Sequence, residues 1–172
     1  MFKELWKLKV PFKIACFAWR LIKDRLPIRV NLRRRQIKLT NVFCPFCGSS
    51  EESASHLFFQ CSKILPLWWE SWSWGQLVGA FPQQPRQHFL HHIGGLLQGR
   101  KANRWKWWWL GLTWTIWKQR NSIIFFNDSF NANKMMDDAI FLLWTWLRHL
   151  EKGFDVHYNQ WSTNLREGFL SS

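Results

Sequence analysis

Between Pro11 and Pro27 the apolar residues Ala15, Ala18, Trp19, Ile22 and Leu26 recur three or four positions apart, the stripe of one amphipathic helix. Pro11 suits its first turn, where a missing N–H breaks no bond, and Pro27 closes it. "VNLRRRQI", residues 30–37, predicts a second, shorter helix with Val30, Leu32 and Ile37 as apolar contacts and Arg33, Arg34 and Arg35 in solvent. "KILPLWWESWSW" predicts a further helical piece around Pro66. The pattern lapses in "GQLVGAFPQQPRQ", residues 75–87, whose Gly, Gln and Pro content reads as a linker. Next come a short helix near 87–97, a break at Gly99, a long helix over about 103–126, a polar turn "NDSFNAN", and a helix over about 134–150. The expected fold class is mainly α. A helical module spans 1–75, a linker with a short helix 76–102, a helical extension 103–150 and an unplaced C-terminal tail 151–172.

Trp105, Trp108, Trp109 and Trp117 cannot share one face of the long helix, so it must meet a second surface: another helix, a partner chain, or an exposed patch. "WKWWW", beside Lys101, Arg104 and Lys106, is the best place outside the N-terminal region for base stacking or a protein partner. With 47% hydrophobic residues, including 15 Trp and 15 Phe, the chain has ample material for a core. The most apolar stretch, residues 107–117, lies between Lys106 and Lys118 and falls short of the ~20 residues a membrane span needs. The N-terminus lacks the apolar run of a secretory signal, so an intracellular protein of nucleus or cytoplasm is expected.

Charge changes the picture. The net formal charge is +13, and residues 1–40 hold twelve Lys and Arg against only Glu4 and Asp24. A chain so lopsided attracts polyanions. The candidate contacts are Lys13, Arg20, Lys23, Arg29, Arg33, Arg34, Arg35 and Lys38, with RNA or DNA as the expected partner.

Chemistry concentrates in "CPFCGSSEESASHLFFQC", residues 44–61. Cys44, Cys47, His56 and Cys61 give a C-x2-C-x8-H-x4-C spacing, and Zn2+ favours four tetrahedral N/S ligands of this kind. Pro45 and Gly48 supply the tight turn of a knuckle, one with fixed φ and one free to take positive φ. Ser49 and Glu52 read as a capping box for a helix carrying His56. On a regular helix His56 and Cys61 would stand about 140° apart, so the helix must end or distort around Phe59 or Gln60. A redox pair fits less well, because Cys47 leads into "GSSEESAS" rather than an apolar-periodic helix. Four protein ligands close the shell and make the ion structural. Cys16, outside the cluster, reads as a small buried hydrophobe.

The motifs Lys-Val-Pro-x-Lys, Phe-x-Trp-Arg-Leu, Arg-Leu-Pro, Cys-Pro-x-Cys-Gly, Glu-x-x-x-His-Leu-Phe and the closing Cys61, followed by "LWWESW", occur in this order. This arrangement resembles the zinc-binding domain that follows the polymerase in reverse transcriptases of plant LINE-type (non-LTR) retrotransposons. "IWKQRNSIIFFNDSF" and "AIFLLWTWLRHL" are similar to the region that often follows it. The resemblance implies a zinc module that handles the element's RNA or target DNA. Polymerase, RNase H and endonuclease carboxylate sets are not found. Asp137 and Asp138 in "NKMMDDAIF" lie in helical periodicity, in the expected first turn, without the hairpin a metal-binding Asp pair needs. No catalysis and no small-molecule substrate are expected. His88, His91 and His92 are expected to be surface histidines rather than a second metal cluster. The alternatives are a zinc-stapled protein-interaction module and a decayed element fragment without activity.

Overall fold

The computed structural model describes residues 2–94 and 97–171. Among these, regular structure is helical, with one isolated antiparallel bridge between Phe43 and Glu51. The mainly α fold class is borne out. In chain order come α1 (Phe2–Lys7), α2 (Phe12–Ile22), α3 (Arg29–Arg34), a π turn (His56–Gln60), α4 (Leu65–Trp74), α5 (Pro85–Ile93), α6 (Gly99–Phe126), α7 (Ala132–Leu150), α8 (Tyr158–Thr163) and α9 (Leu165–Leu170).

The axis of the molecule is α6, whose 28 residues extend about 42 Å at 1.5 Å per residue. It starts at Gly99, earlier than its apolar pattern does, because Gly99 takes a φ of +64° that turns the chain into the helix. It ends on Asn127 in the left-handed conformation, and Asn131 caps α7 by accepting the Lys134 N–H at 2.9 Å. The resulting αα-hairpin of α6 and α7 is the most extensive helix pairing, while α2, α5 and α9 cover other sides of α6. This resolves why the tryptophans cannot share a face. Trp107 donates its indole N–H to the Leu8 carbonyl at 2.9 Å, and Trp109 donates to His88 Nδ1 at 2.9 Å. Trp105 stacks on His92, and Trp108 meets Trp74 and Phe169.

Three expectations are corrected by this packing. "WKWWW" is no stacking surface, because all four tryptophans and Arg104 are buried against the chain's own helices. His88 and His92 are core residues, not surface ones: they stack on each other with centroids 4.7 Å apart, and Phe59, Trp68 and Trp105 enclose them. Burial pushes His88 well below the usual imidazole range and His92 down to about 3. Asp137 and Asp138 occupy the second turn of α7 rather than the first, since the helix begins at Ala132, and both are exposed. Asp138 pairs with Lys134 at 2.7 Å.

The tail, which periodicity could not place, closes the structure. Arg104 forms a buried pair with Glu151 and reaches the Gly168 carbonyl and the Ser171 hydroxyl. Phe169 of α9 inserts among Trp74, Trp105, Trp108 and Trp161. Residues 75–84 lack helix, yet Phe81 is anchored on Trp72 and His88. A single buried cluster runs from Leu5 to Phe169 across this segment. Among the described residues no helix is long and apolar enough to cross a membrane.

Candidate metal centre and basic face

The knuckle is built by backbone pairing. Cys44 N–H donates to the Ser50 carbonyl at 2.7 Å, Glu52 N–H to Val42 at 2.9 Å and Gly48 N–H to Cys44 at 2.8 Å. Gly48 takes a φ of +68°, as the turn requires. The second half of the site departs from the expected capping box. Ser49 turns its hydroxyl to the Cys47 sulfur, and the residue that caps is Ser53, whose hydroxyl accepts the His56 N–H at 3.1 Å. Glu52 points the other way, into the core.

The backbone then widens into a π turn, with Cys61 N–H bonded to the His56 carbonyl at 2.8 Å. Five residues thus close one ring, which brings His56 and Cys61 to the same side. A distortion before Cys61 is what the helical arithmetic demanded. The sulfurs of Cys44, Cys47 and Cys61 and a ring nitrogen of His56 lie within 4.8 Å of one another. Cys44 Sγ is 4.0 Å from Cys61 Sγ, and Cys47 Sγ is 3.3 Å from His56 Nε2. Metal bonds of about 2.3 Å to sulfur and 2.0–2.1 Å to nitrogen give tetrahedron edges of roughly 3.5–3.8 Å. The donor set fits such an ion, and 4.0 Å is far too long for a disulfide. Cys16 is half-buried on α2, away from the cluster.

Electrostatics favour the thiolates of Cys47 and Cys61 and oppose that of Cys44. Backbone amides of Phe46 and Cys47 act to lower the Cys44 thiol, those of Ser49 and Ser50 the Cys47 thiol, and that of Lys63 the Cys61 thiol. Burial opposes ionisation of Cys47, but the Ser49 hydroxyl, these amides and His56 bring it down to about 7. Its hydrogen bond to Cys61, together with burial, pushes the Cys44 thiol up, and the same bond lowers Cys61.

Sequence reasoning missed what ties this loop to the rest of the chain. Glu52 is fully buried and accepts Arg120 Nε at 2.7 Å, Arg120 Nη2 at 2.8 Å and the Arg29 N–H at 2.8 Å. Arg120 also lies over the Trp117 ring. No local signal could reveal this pair, because its members are 68 positions apart.

The candidate basic residues divide. Arg33 is held bidentate by Glu51 at 2.8 and 2.9 Å, Arg34 by Asp24 at 3.0 Å, and Arg35 reaches the Arg25 carbonyl at 3.4 Å. Arg29 bonds the Phe43 carbonyl and is half-buried. Lys13 lies over Trp114 and Lys23 over Phe2, while Arg20 and Lys38 are exposed.

Residues 1–68 match the family model described as zinc-binding in reverse transcriptase. All four candidate ligands fall inside this segment, and the resemblance read from its motifs is borne out. The chain is also 28% identical over 89 residues to an Arabidopsis thaliana protein named "Putative ribonuclease H protein At1g65750". The match covers 52% of this chain but only 13% of that relative. No solved structure matches the chain. The matched segment ends inside α4, so α5 to α9 lie beyond the family match.

Proposed function

We propose that the protein is a zinc-organised nucleic-acid-binding module, derived from a retrotransposon reverse transcriptase and without catalytic chemistry of its own. The observation that carries this reading is the direct linkage of the metal loop to the basic helix. Glu52, between ligands Cys47 and His56, accepts the Arg29 N–H with its carboxylate and the Val30 N–H with its carbonyl at the start of α3. Glu51 beside it clamps Arg33. An ion that fixes this loop therefore fixes the helix presenting Arg33, Arg34 and Arg35. The donor set of three Cys and one His selects Zn2+ over hard cations and leaves no open ligand position, so its role is structural. The matched family supports handling of RNA or DNA, and a nuclear or cytoplasmic location accords with that role. Residues 1–75 form the metal-bearing unit of this reading.

The test is binding of short labelled single-stranded RNA and DNA to the zinc-loaded protein across a salt series. At least three phosphate contacts give a slope of log K against log salt of about −2 or steeper. Removing two exposed cations in R35A/K38A should flatten that slope by about 1.4. Absence of salt-dependent binding, or an unchanged slope in the variant, refutes the reading. A protein-interaction role has its own observation, the exposed Phe125 and Phe126 at the end of α6, and would give binding insensitive to salt.

A further inference from the structure

The N-terminal face carries a feature that neither the metal loop nor the α3 arginines use. Trp6 of α1 and Phe12 at the start of α2 are 47% and 75% exposed. Their ring centroids are 6.0 Å apart with an interplanar angle of 30°. They form one continuous aromatic shelf, where most other tryptophans of the chain are buried.

Cations flank both rings in the sequence. Lys3 precedes Trp6 by one helical turn, and Lys7 follows it directly at the end of α1. Lys9 lies in the turn between α1 and α2, and Lys13 follows Phe12. Glu4 is the only acid in residues 2–23. Lys7 neutralises it at 2.9 Å, and nearby Lys106 of α6 also acts on it.

We propose that this shelf is a base-stacking platform for single-stranded nucleic acid, with Trp6 and Phe12 against unpaired bases and Lys3, Lys9 and Lys13 along the phosphates. The inference rests on the nucleic-acid reading above and extends it to a second face. An apolar partner would be served by the rings alone, whereas charge complementarity to a polyanion accounts for rings and lysines together. Flat aromatic faces accept any base, so contact here adds affinity with little sequence preference. Duplex DNA, whose bases are stacked on each other, offers the rings nothing.

The test uses the full zinc-loaded chain and the variants W6A, F12A and W6A/F12A. Both rings are exposed, so zinc content and the unfolding midpoint should be retained. Affinity is measured for single-stranded RNA, single-stranded DNA of the same sequence, and duplex DNA, each across a salt series. A 2-aminopurine base in the single strands reports stacking directly. The expected result is a loss of roughly 5- to 150-fold per ring on single strands, with salt slope and duplex affinity unchanged and the 2-aminopurine quench abolished. Equal loss on duplex, or no loss on single strands while the salt slope persists, overturns the platform and leaves the nucleic-acid reading intact. Absence of salt-dependent binding in the wild-type chain overturns both. A monomer–dimer shift in sedimentation velocity caused by W6A/F12A assigns the shelf to a second copy of the chain and overturns the proposal.

Discussion

Arg120→Met isolates the bond between the metal loop and the long helix. In the native chain the Glu52 carboxylate accepts three hydrogen bonds, two from Arg120 at 2.7 and 2.8 Å and one from the Arg29 amide at 2.8 Å. The side chains of Arg120 and Glu52 are 4% and 0% exposed. Methionine fills similar space but removes the counter-charge and two of the three donors. Hydrogen bonds to charged groups contribute about 1.5–3 kcal/mol each, and breaking one partner of a buried pair costs about 3–5 kcal/mol. Against a total stability on the order of 5–15 kcal/mol, that is a large fraction. Denaturant unfolding of the zinc-loaded protein, followed by tryptophan fluorescence, should show this loss. Because Glu52 lies between Cys47 and His56, a chelator should also strip the variant at lower concentration. The double variant E52Q/R120M, with no buried charge left and the Arg29 amide still satisfied, should recover at least about 1 kcal/mol. A cost of R120M below about 1 kcal/mol, the range of exposed pairs, or a double variant no better than the single one, refutes the coupling.

Cys61→Ser should abolish stoichiometric zinc binding, measured as metal retained after gel filtration, whereas Cys16→Ser should not. His88 and His92 are held neutral by burial, so their stabilisation is complete above pH 6.5 and is lost as pH falls through 6.5 toward their depressed values. With His92 at about 3, the loss from that residue alone reaches about 2 kcal/mol at pH 5. Denaturation midpoints of H92F should fall less steeply than wild type between pH 7 and pH 5, and parallel curves would disprove the assignment. Phe169→Ala should cost about 3–5 kcal/mol in denaturant unfolding, because this fully buried ring contacts Trp74, Trp105, Trp108 and Trp161.

What the sequence revealed and what it withheld follow from the range of the interactions. The clustering of Cys44, Cys47, His56 and Cys61 was legible because a knuckle sets its two donors three positions apart, and the need for a distortion before Cys61 followed from helical geometry alone. The capping box failed because Ser49 and Glu52 satisfy a local pattern while a stronger partner for Glu52 waits at Arg120. The histidines misled for a related reason. Polarity argues for the surface, but His92 donates to the His88 carbonyl at 2.8 Å and His88 accepts from Trp109, so both rings enter the core as aromatic plates. Periodicity showed that α6 needs more than one cover. It could not show that the tail supplies part of it, since α8 and α9 are six residues each, too short for a periodic signal.

The same packing bears on where the metal-binding unit ends physically. Between the candidate ligands His56 and Cys61, Leu57, Phe58 and Phe59 are fully buried. Phe58 stacks on Trp117, and Phe59 stacks on His88 and Trp109, all beyond the family-matched residues 1–68. The π turn that aims the ligands is therefore also a wedge in the shared core. A fragment ending at residue 75 keeps every ligand but exposes both phenylalanines, at about 1.5–3 kcal/mol each, and strands Glu52 without Arg120. Such a fragment should still bind zinc, yet give weak near-ultraviolet dichroism and bind a hydrophobic dye, whereas the full chain should unfold in one transition with coincident probes. A fragment with sharp tertiary signals and no dye binding would show that the metal alone organises the wedge, and that α5 to α7 merely lean on a module already complete.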